Sequence, residues 1–232
     1  MIARTTLWAE AGGRIRWRAT PPLVPRRTGP DEVHLVGAAG GPLGGDELTL
    51  EIQLAADAQL TIRSAAATIV QPGDGSAGPA RLTVRAQLAA GARLHWCPQP
   101  TVVCDEAELH TSLRLELAEG ASALVHERII LGRHGERGGR YRGELRIDHA
   151  GAALLRHTSV LDGVDPGLSG PAGTAGHRSL TTLCGVGGEP RPTGCSPNGE
   201  RNGLRWATHQ LAGPGWLRLA LGGTCGTRGT RR

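Results

Sequence analysis

Lysine is missing from this 232-residue sequence: all 26 of its basic residues are arginine. A P-loop needs a lysine to reach the transferred phosphate, and Schiff-base chemistry needs one as an amine nucleophile, so both are excluded. Phenylalanine is absent too, and tyrosine and methionine occur once each beside five tryptophans. So few rings leave little for unstacked bases to lie on, and the core has to come from Leu, Val, Ile and Ala. Runs of five or six like charges are also lacking, because the net charge of +5 is spread among interleaved Arg, Asp and Glu. Nucleic acid is therefore not the expected partner, and a basic nucleic-acid adaptor is kept only as an alternative. Met1 to Trp17 has no apolar leader, and no segment approaches the roughly 18 apolar residues of a membrane-spanning helix. Cys97, Cys104, Cys184, Cys195 and Cys225 form no C-x-x-C pair. Free thiols in a reducing cytoplasm, away from membranes, are expected. The sequences G-x-S-x-G and H-E-x-x-H and a calcium-binding loop are absent as well. A chain that binds partners, rather than an enzyme, is the expectation.

Glycine is abundant. Its 36 residues are about twice the usual ~7%, as a chain with many turns requires. From Glu32 to about Leu161, apolar and polar residues alternate with period two. Leu48, Leu50, Ile52 and Leu54 share one face, as do Leu82, Val84, Ala86 and Leu88, and again Leu113, Leu115 and Leu117. Each set reads as a half-buried strand. Between these strands recurs the form L-A-x-[DG]-A, at Leu54–Ala58, Leu88–Ala92 and Leu117–Ala121. Its Asp or Gly suits positive φ, so each copy reads as strand, tight turn, strand. Units this small cannot bury a face alone, which predicts an all-β, solenoid-like stack of strands with at most a pair of short helices. A β-sandwich is the second choice. One domain over 1–232 is expected, with its core at 31–161. A Gly/Pro-rich part follows at 162–223, carrying weak helical stripes and one apolar element at Trp216–Leu221. The tail 224–232 is expected to be disordered.

Three segments hold candidate chemistry. Gly40, Gly41, Gly44, Gly45 and Asp46 make the densest motif, which opens no helix and is no phosphate cradle. Its glycines allow a sharp reversal, while Asp46 either caps that turn or faces a partner or cation. His95 and Cys97 lie on one face and could supply two soft metal ligands, which alone make no stable site. Glu127 shares the parity of Val125 and Ile129, so it points among apolar neighbours, where an unpaired carboxylate is costly. Either Arg128 or Arg133 pairs with it, or it lines an internal polar passage.

Several stretches in order resemble the UreD/UreH family of urease accessory proteins. They are Gly40-Gly-x-x-Gly44-Gly45-Asp46, Arg63-Ser-Ala-Ala-Ala-Thr68, Trp96-x-Pro98-Gln99-x-Thr101, and Glu127 with Gly132-Arg133-x-x-Glu136. A weaker echo lies at Gly213–Leu217. The resemblance implies a β-helix-like stack with a pair of helices, and a non-enzymatic role. It also implies as partners UreF, the GTPase UreG and the urease apoprotein, with nickel in transit and no tightly bound cofactor. Asp46 and Glu127 would then be transient nickel-route residues, and the motif residues from Gly40 to Glu136 partner-binding candidates. The sequence departs from the family pattern at Cys104, where an aromatic is usual and a core role is expected. It departs again at Ile69, Val70 and Gln71, and in a short glycine-rich C-terminal third. A β-solenoid enzyme acting on carbohydrate is the other alternative, although the aromatics such a groove needs are missing.

Overall fold

The computed structural model describes residues 1–75, 78–192 and 196–222, and within them the chain forms strands and no helix. Five strands run parallel in a first sheet: β1 (Ile2–Glu10), β5 (Glu47–Leu54), β8 (Ala80–Leu88), β11 (Glu108–Leu117) and β13 (Arg140–His149). β2 (Arg14–Ala19) and β14 (Ala152–Asp162) border it antiparallel. A second sheet holds β4 (Glu32–Gly37), β6 (Gln59–Ser64), β9 (Arg93–Trp96) and β12 (Ser122–Leu131), again parallel. It is bordered by β3 (Leu23–Gly29) and extended antiparallel by β15 (Ser179–Val186), β18 (Gly215–Leu221), β17 (Leu204–Gln210) and β16 (Asn198–Arg201). The chain passes from the first sheet to the second and back, one coil of a β-solenoid each time. Two three-residue strands, β7 (Thr68–Val70) and β10 (Thr101–Val103), resume the lines of β6 and β9 after a gap. β10 pairs with the far half of β12.

Register stacks like on like. Leu50, Val84, Leu113 and Leu145 form one inward column, and Ile52, Ala86, Leu115 and Ile147 a second. Burying these aliphatic faces removes them from water, the main favourable contribution to folding, while the alternate residues stay outside. The L-A-x-[DG]-A segments are the corners of successive coils. Asp57, Gly91 and Gly120 have φ of 57°, 70° and 75°, as their residue types lead one to expect. They are not hairpins, however. The strands they join belong to opposite sheets, and the corners bond to one another, Ala89 N–H to Leu54 O at 3.0 Å and Ala118 N–H to Leu88 O at 2.9 Å.

The core reaches beyond 31–161 at both ends, taking in Leu7, Ala9 and Ile15 from β1 and β2 and Cys184, Val186 and Leu217 from β15 and β18. Where helical stripes are expected in the last 60 residues, the described ones form strands instead. Pairing of β15 with the long edge of β12, and of β18 with β15, settles both strands, so tertiary context overrides a weak local period. Trp216–Leu221 is the apolar element of β18, and the Gly/Pro-rich span 187–203 contributes β16. Cys104 is buried in the core, and Cys97, Cys104 and Cys184 are free thiols. Cys195, Cys225 and the tail 224–232 lie outside the described residues. No helix among those residues is long and apolar enough to cross a membrane.

Candidate functional site

One inward column of the first sheet loses its bulk midway. Ala3, Leu48, Leu82, Thr111 and Gly143 stand side by side, so the aliphatic series gives way to a hydroxyl and then to no side chain. Across from it, the wall of the second sheet is broken. Pro98 and Pro100 have no N–H to give a ladder, and the strand line stops between β9 and β10. The neighbouring line stops between β6 and β7, where Ser64 Oγ accepts a hydrogen bond from Gln99 N–H at 2.8 Å. β12 crosses this level without interruption. Missing bulk on one side and a broken wall on the other leave a cavity of about 440 Å³. Its lining is mostly apolar, with Leu48, Leu50, Leu82, Trp96 and Ile129, and its mouth runs past Gly40, Gly41 and Pro42.

Glu127 projects into this cavity from β12, as its parity with Val125 and Ile129 requires. Its Oε1 accepts from Trp96 Nε1–H at 3.1 Å. Neither candidate arginine pairs with it. Arg128 points to the other face of the sheet and donates to Ser179 Oγ at 2.9 Å, and Arg133 is bonded to Glu136. Burial pushes the Glu127 carboxyl above its ordinary range, and the Trp96 hydrogen bond offsets this only in part. The nearby Tyr141 phenol is also pushed up, first by burial and then by the Glu127 charge. Tyr141 OH lies 3.0 Å from Thr111 Oγ1 and curls over Gly143, where a Cβ would come within 2.0 Å of that oxygen. Thr111 and Tyr141 were not evident as site residues. The signal for Thr111 is its register, a hydroxyl in a column of leucines, and this needs the strand pairing to be seen.

The remaining candidates fall into two places. Trp96, Pro98, Thr101, Gly40 and Gly41 line the cavity, and Gln99 ties the broken strand line to Ser64. Gly44 and Gly45 sit beside it in the turn before β5, where Gly45 N–H donates to Gly78 O at 2.6 Å and its φ is 81°. Asp46 is buried and holds that turn, its carboxylate accepting from Leu43 N–H at 2.9 Å and from the Met1 amino group at 2.6 Å. Burial works against ionisation there, but these donors outweigh it and its pKa falls below the usual value. Arg133 and Glu136 form a clamp on the exposed turn after β12. Arg133 side-chain and backbone donors, together with Asp105 N–H, hold the Glu136 carboxyl down at about 2. His95 and Cys97 face outward from the second sheet, with His95 Nε2 3.7 Å from Glu189 Oε1. Among the described residues no three His, Cys, Asp or Glu side chains converge on a point that could hold a metal. A lone carboxylate in a mostly apolar cavity can bind a cation weakly and let it go.

A family model described as UreD urease accessory protein matches residues 14–222. A protein named urease accessory protein UreD from Parafrankia sp. (strain EAN1pec) is 39% identical, over 94% of this chain and 84% of its own length. Its namesake from Frankia alni is 40% identical over 94% of this chain and 74% of its own. A third, from Streptomyces avermitilis, is 41% identical over 70% of this chain and 66% of its own.

Proposed function

The chain belongs to the UreD family of urease accessory proteins, and from that premise we propose that it is a non-catalytic scaffold for urease maturation. In this reading it binds UreF and, through UreF, the GTPase UreG, docks on the urease apoprotein in the cytoplasm, and passes nickel to the urease active site. It holds no tight cofactor of its own.

The observation that carries the nickel part is the cavity with Glu127 as its one carboxylate among the described residues. Nickel accepts carboxylate oxygen, and a single exchangeable ligand lets the ion move on where a four-ligand cluster would trap it. Because burial raises the Glu127 pKa, the proton competes with the metal, and affinity rises with pH as the carboxyl ionises. Asp46 enters the proposed route at its mouth. Its bonds to Leu43 and Met1 hold the turn whose Gly41 and Pro42 line the cavity.

The test is a urease-activation assay with Glu127→Gln and Asp46→Asn in the complete complex, measuring nickel per urease. Gln keeps the shape of the side chain and an acceptor for Trp96 while removing the charge. The complex should assemble, with nickel loading reduced several-fold. A complex that no longer forms would make these carboxylates structural, and normal loading in both variants would place the route elsewhere.

A further inference from the structure

The outer face of the first sheet carries an arrangement that the interior does not explain. Arg85, Arg114 and Arg146 occupy matching positions on β8, β11 and β13, neighbouring strands about 4.8 Å apart. In a second row Arg81 and Arg142 flank His110. Between the rows stand the hydroxyls of Thr83 and Ser112, with Glu144 next in line, and they form the floor of a shallow cleft of about 260 Å³ with Arg81, Arg114 and Arg142 on its sides. The five arginines are exposed. Like charges directly opposite each other weaken a sheet, so the row of Arg85, Arg114 and Arg146 works against the fold.

The acids of the same face neutralise the arginines only in part, and among the described residues Arg81, Arg85 and Arg114 have no ion pair. Glu51 is bonded to Arg4, Glu116 to Gln87, and Glu144 to both Arg142 and Arg146. Arg114 donates to Ser112 Oγ at 3.4 Å and Arg81 contacts His110 at 3.3 Å, while Arg85 has no ion pair among the described residues.

We infer that this face docks an acidic patch of another protein, with carboxylates seated over Thr83 and Ser112 between the two rows of arginine. The inference rests on the reading of the chain as one member of an assembly. A planar guanidinium takes a carboxylate through two parallel hydrogen bonds, and the two hydroxyls add donors at the same place. Protein is favoured over nucleic acid because Glu51, Glu116 and Glu144 interrupt the basic surface. They would repel a continuous phosphate backbone but match a partner on which acids and bases alternate. The cleft also has no Trp, Tyr or Phe ring on which a base could stack, the His110 imidazole being its one flat side chain besides the arginines among the described residues.

The full chain is compared with Arg85→Glu/Arg114→Glu and with the milder Arg85→Gln/Arg114→Gln. Arg26→Glu/Arg27→Glu, on β3 of the other sheet, is the control. Association with purified urease apoprotein and with purified UreF is followed between about 50 and 300 mM salt, a range over which screening changes strongly. One of these partners should bind about tenfold more weakly or worse to the Glu variant and less severely so to the Gln variant. Most of the change should lie in the on-rate and shrink with salt, and the control should behave as wild type. The Gln variant should melt no lower than wild type, since repulsion is relieved. If both ladder variants bind as wild type does, the docking face is wrong and the assembly reading stands. If wild type binds neither protein, the assembly reading itself falls. Loss of double-stranded DNA binding with protein association intact would overturn the inference in favour of a nucleic-acid surface.

Discussion

Among the described residues Glu127 has one hydrogen-bond donor, Trp96 Nε1–H, for a group that when ionised can accept about four. That shortfall makes its charge expensive and fixes the sign of its pH effect. Its folded pKa lies above the ordinary 4.5, so folding favours the protonated form. Stability is therefore full below the unfolded value and is lost progressively as pH rises through the folded one. Glu127→Gln removes the ionisation and keeps an acceptor for Trp96. Its melting temperature should match wild type near pH 4 and exceed it by about 2–4 °C at pH 7, a shift of roughly 1 kcal/mol in a chain this long. Thermal unfolding of both proteins across that range checks this. Equal melting temperatures at pH 7 would mean that water in the cavity solvates the carboxylate fully. Glu136 has the opposite sign. Its pKa of about 2 means that the clamp with Arg133 weakens as pH falls from 4.5 toward that value.

At the scale of elements, local pattern and local chemistry were legible and pairing was not. Period-two alternation located β5, β8 and β11, and the parity of Glu127 among Val125 and Ile129 placed it inside. Asp57, Gly91 and Gly120 were readable as positive-φ corners because residue type alone carries that preference. The same corners left the second-choice sandwich open, since a turn residue reports the backbone bend and says nothing about which sheet receives the next strand. The glycine turn before β5 gives the corresponding prediction. Gly45 has φ of 81°, which a β-branched residue adopts only under strain, and its N–H closes the turn on Gly78 O at 2.6 Å. Gly45→Val should lower stability by about 1–3 kcal/mol and reduce the yield of soluble complex. Denaturant unfolding measures the first and co-purification the second. Unchanged values in both would make this a tolerant loop.

The whole molecule is built around a gap. One hydrophobic cluster lies on the corner side of the coils, including Leu50, Ile52, Ala86 and Leu115, and a second on the far side, including Val70, Val103, Leu131 and Tyr141. The cavity with Glu127 lies between them. No sequence pattern announces this division, because Thr111, Glu127 and Tyr141 come from three strands in two sheets and meet only through the stacking of coils. The broken strand line is the visible trace of it, in the prolines at 98 and 100. Such a division has a dynamic consequence. β7 and β10 are three residues long, pair with each other over that length, and pack against the smaller cluster. β5, β8 and β11 share eight or more paired positions and the larger cluster. Where fewer apolar contacts hold a segment, it opens at lower free energy than the rest. The amides of Val70 and Val103 should therefore exchange with solvent roughly tenfold or more faster than those of Ile52, Ala86 and Leu115. Native-state hydrogen exchange in low denaturant resolves the two groups. A single opening free energy shared by all five amides would show that the two clusters act as one cooperative core, and that the cavity between them does not uncouple their motions.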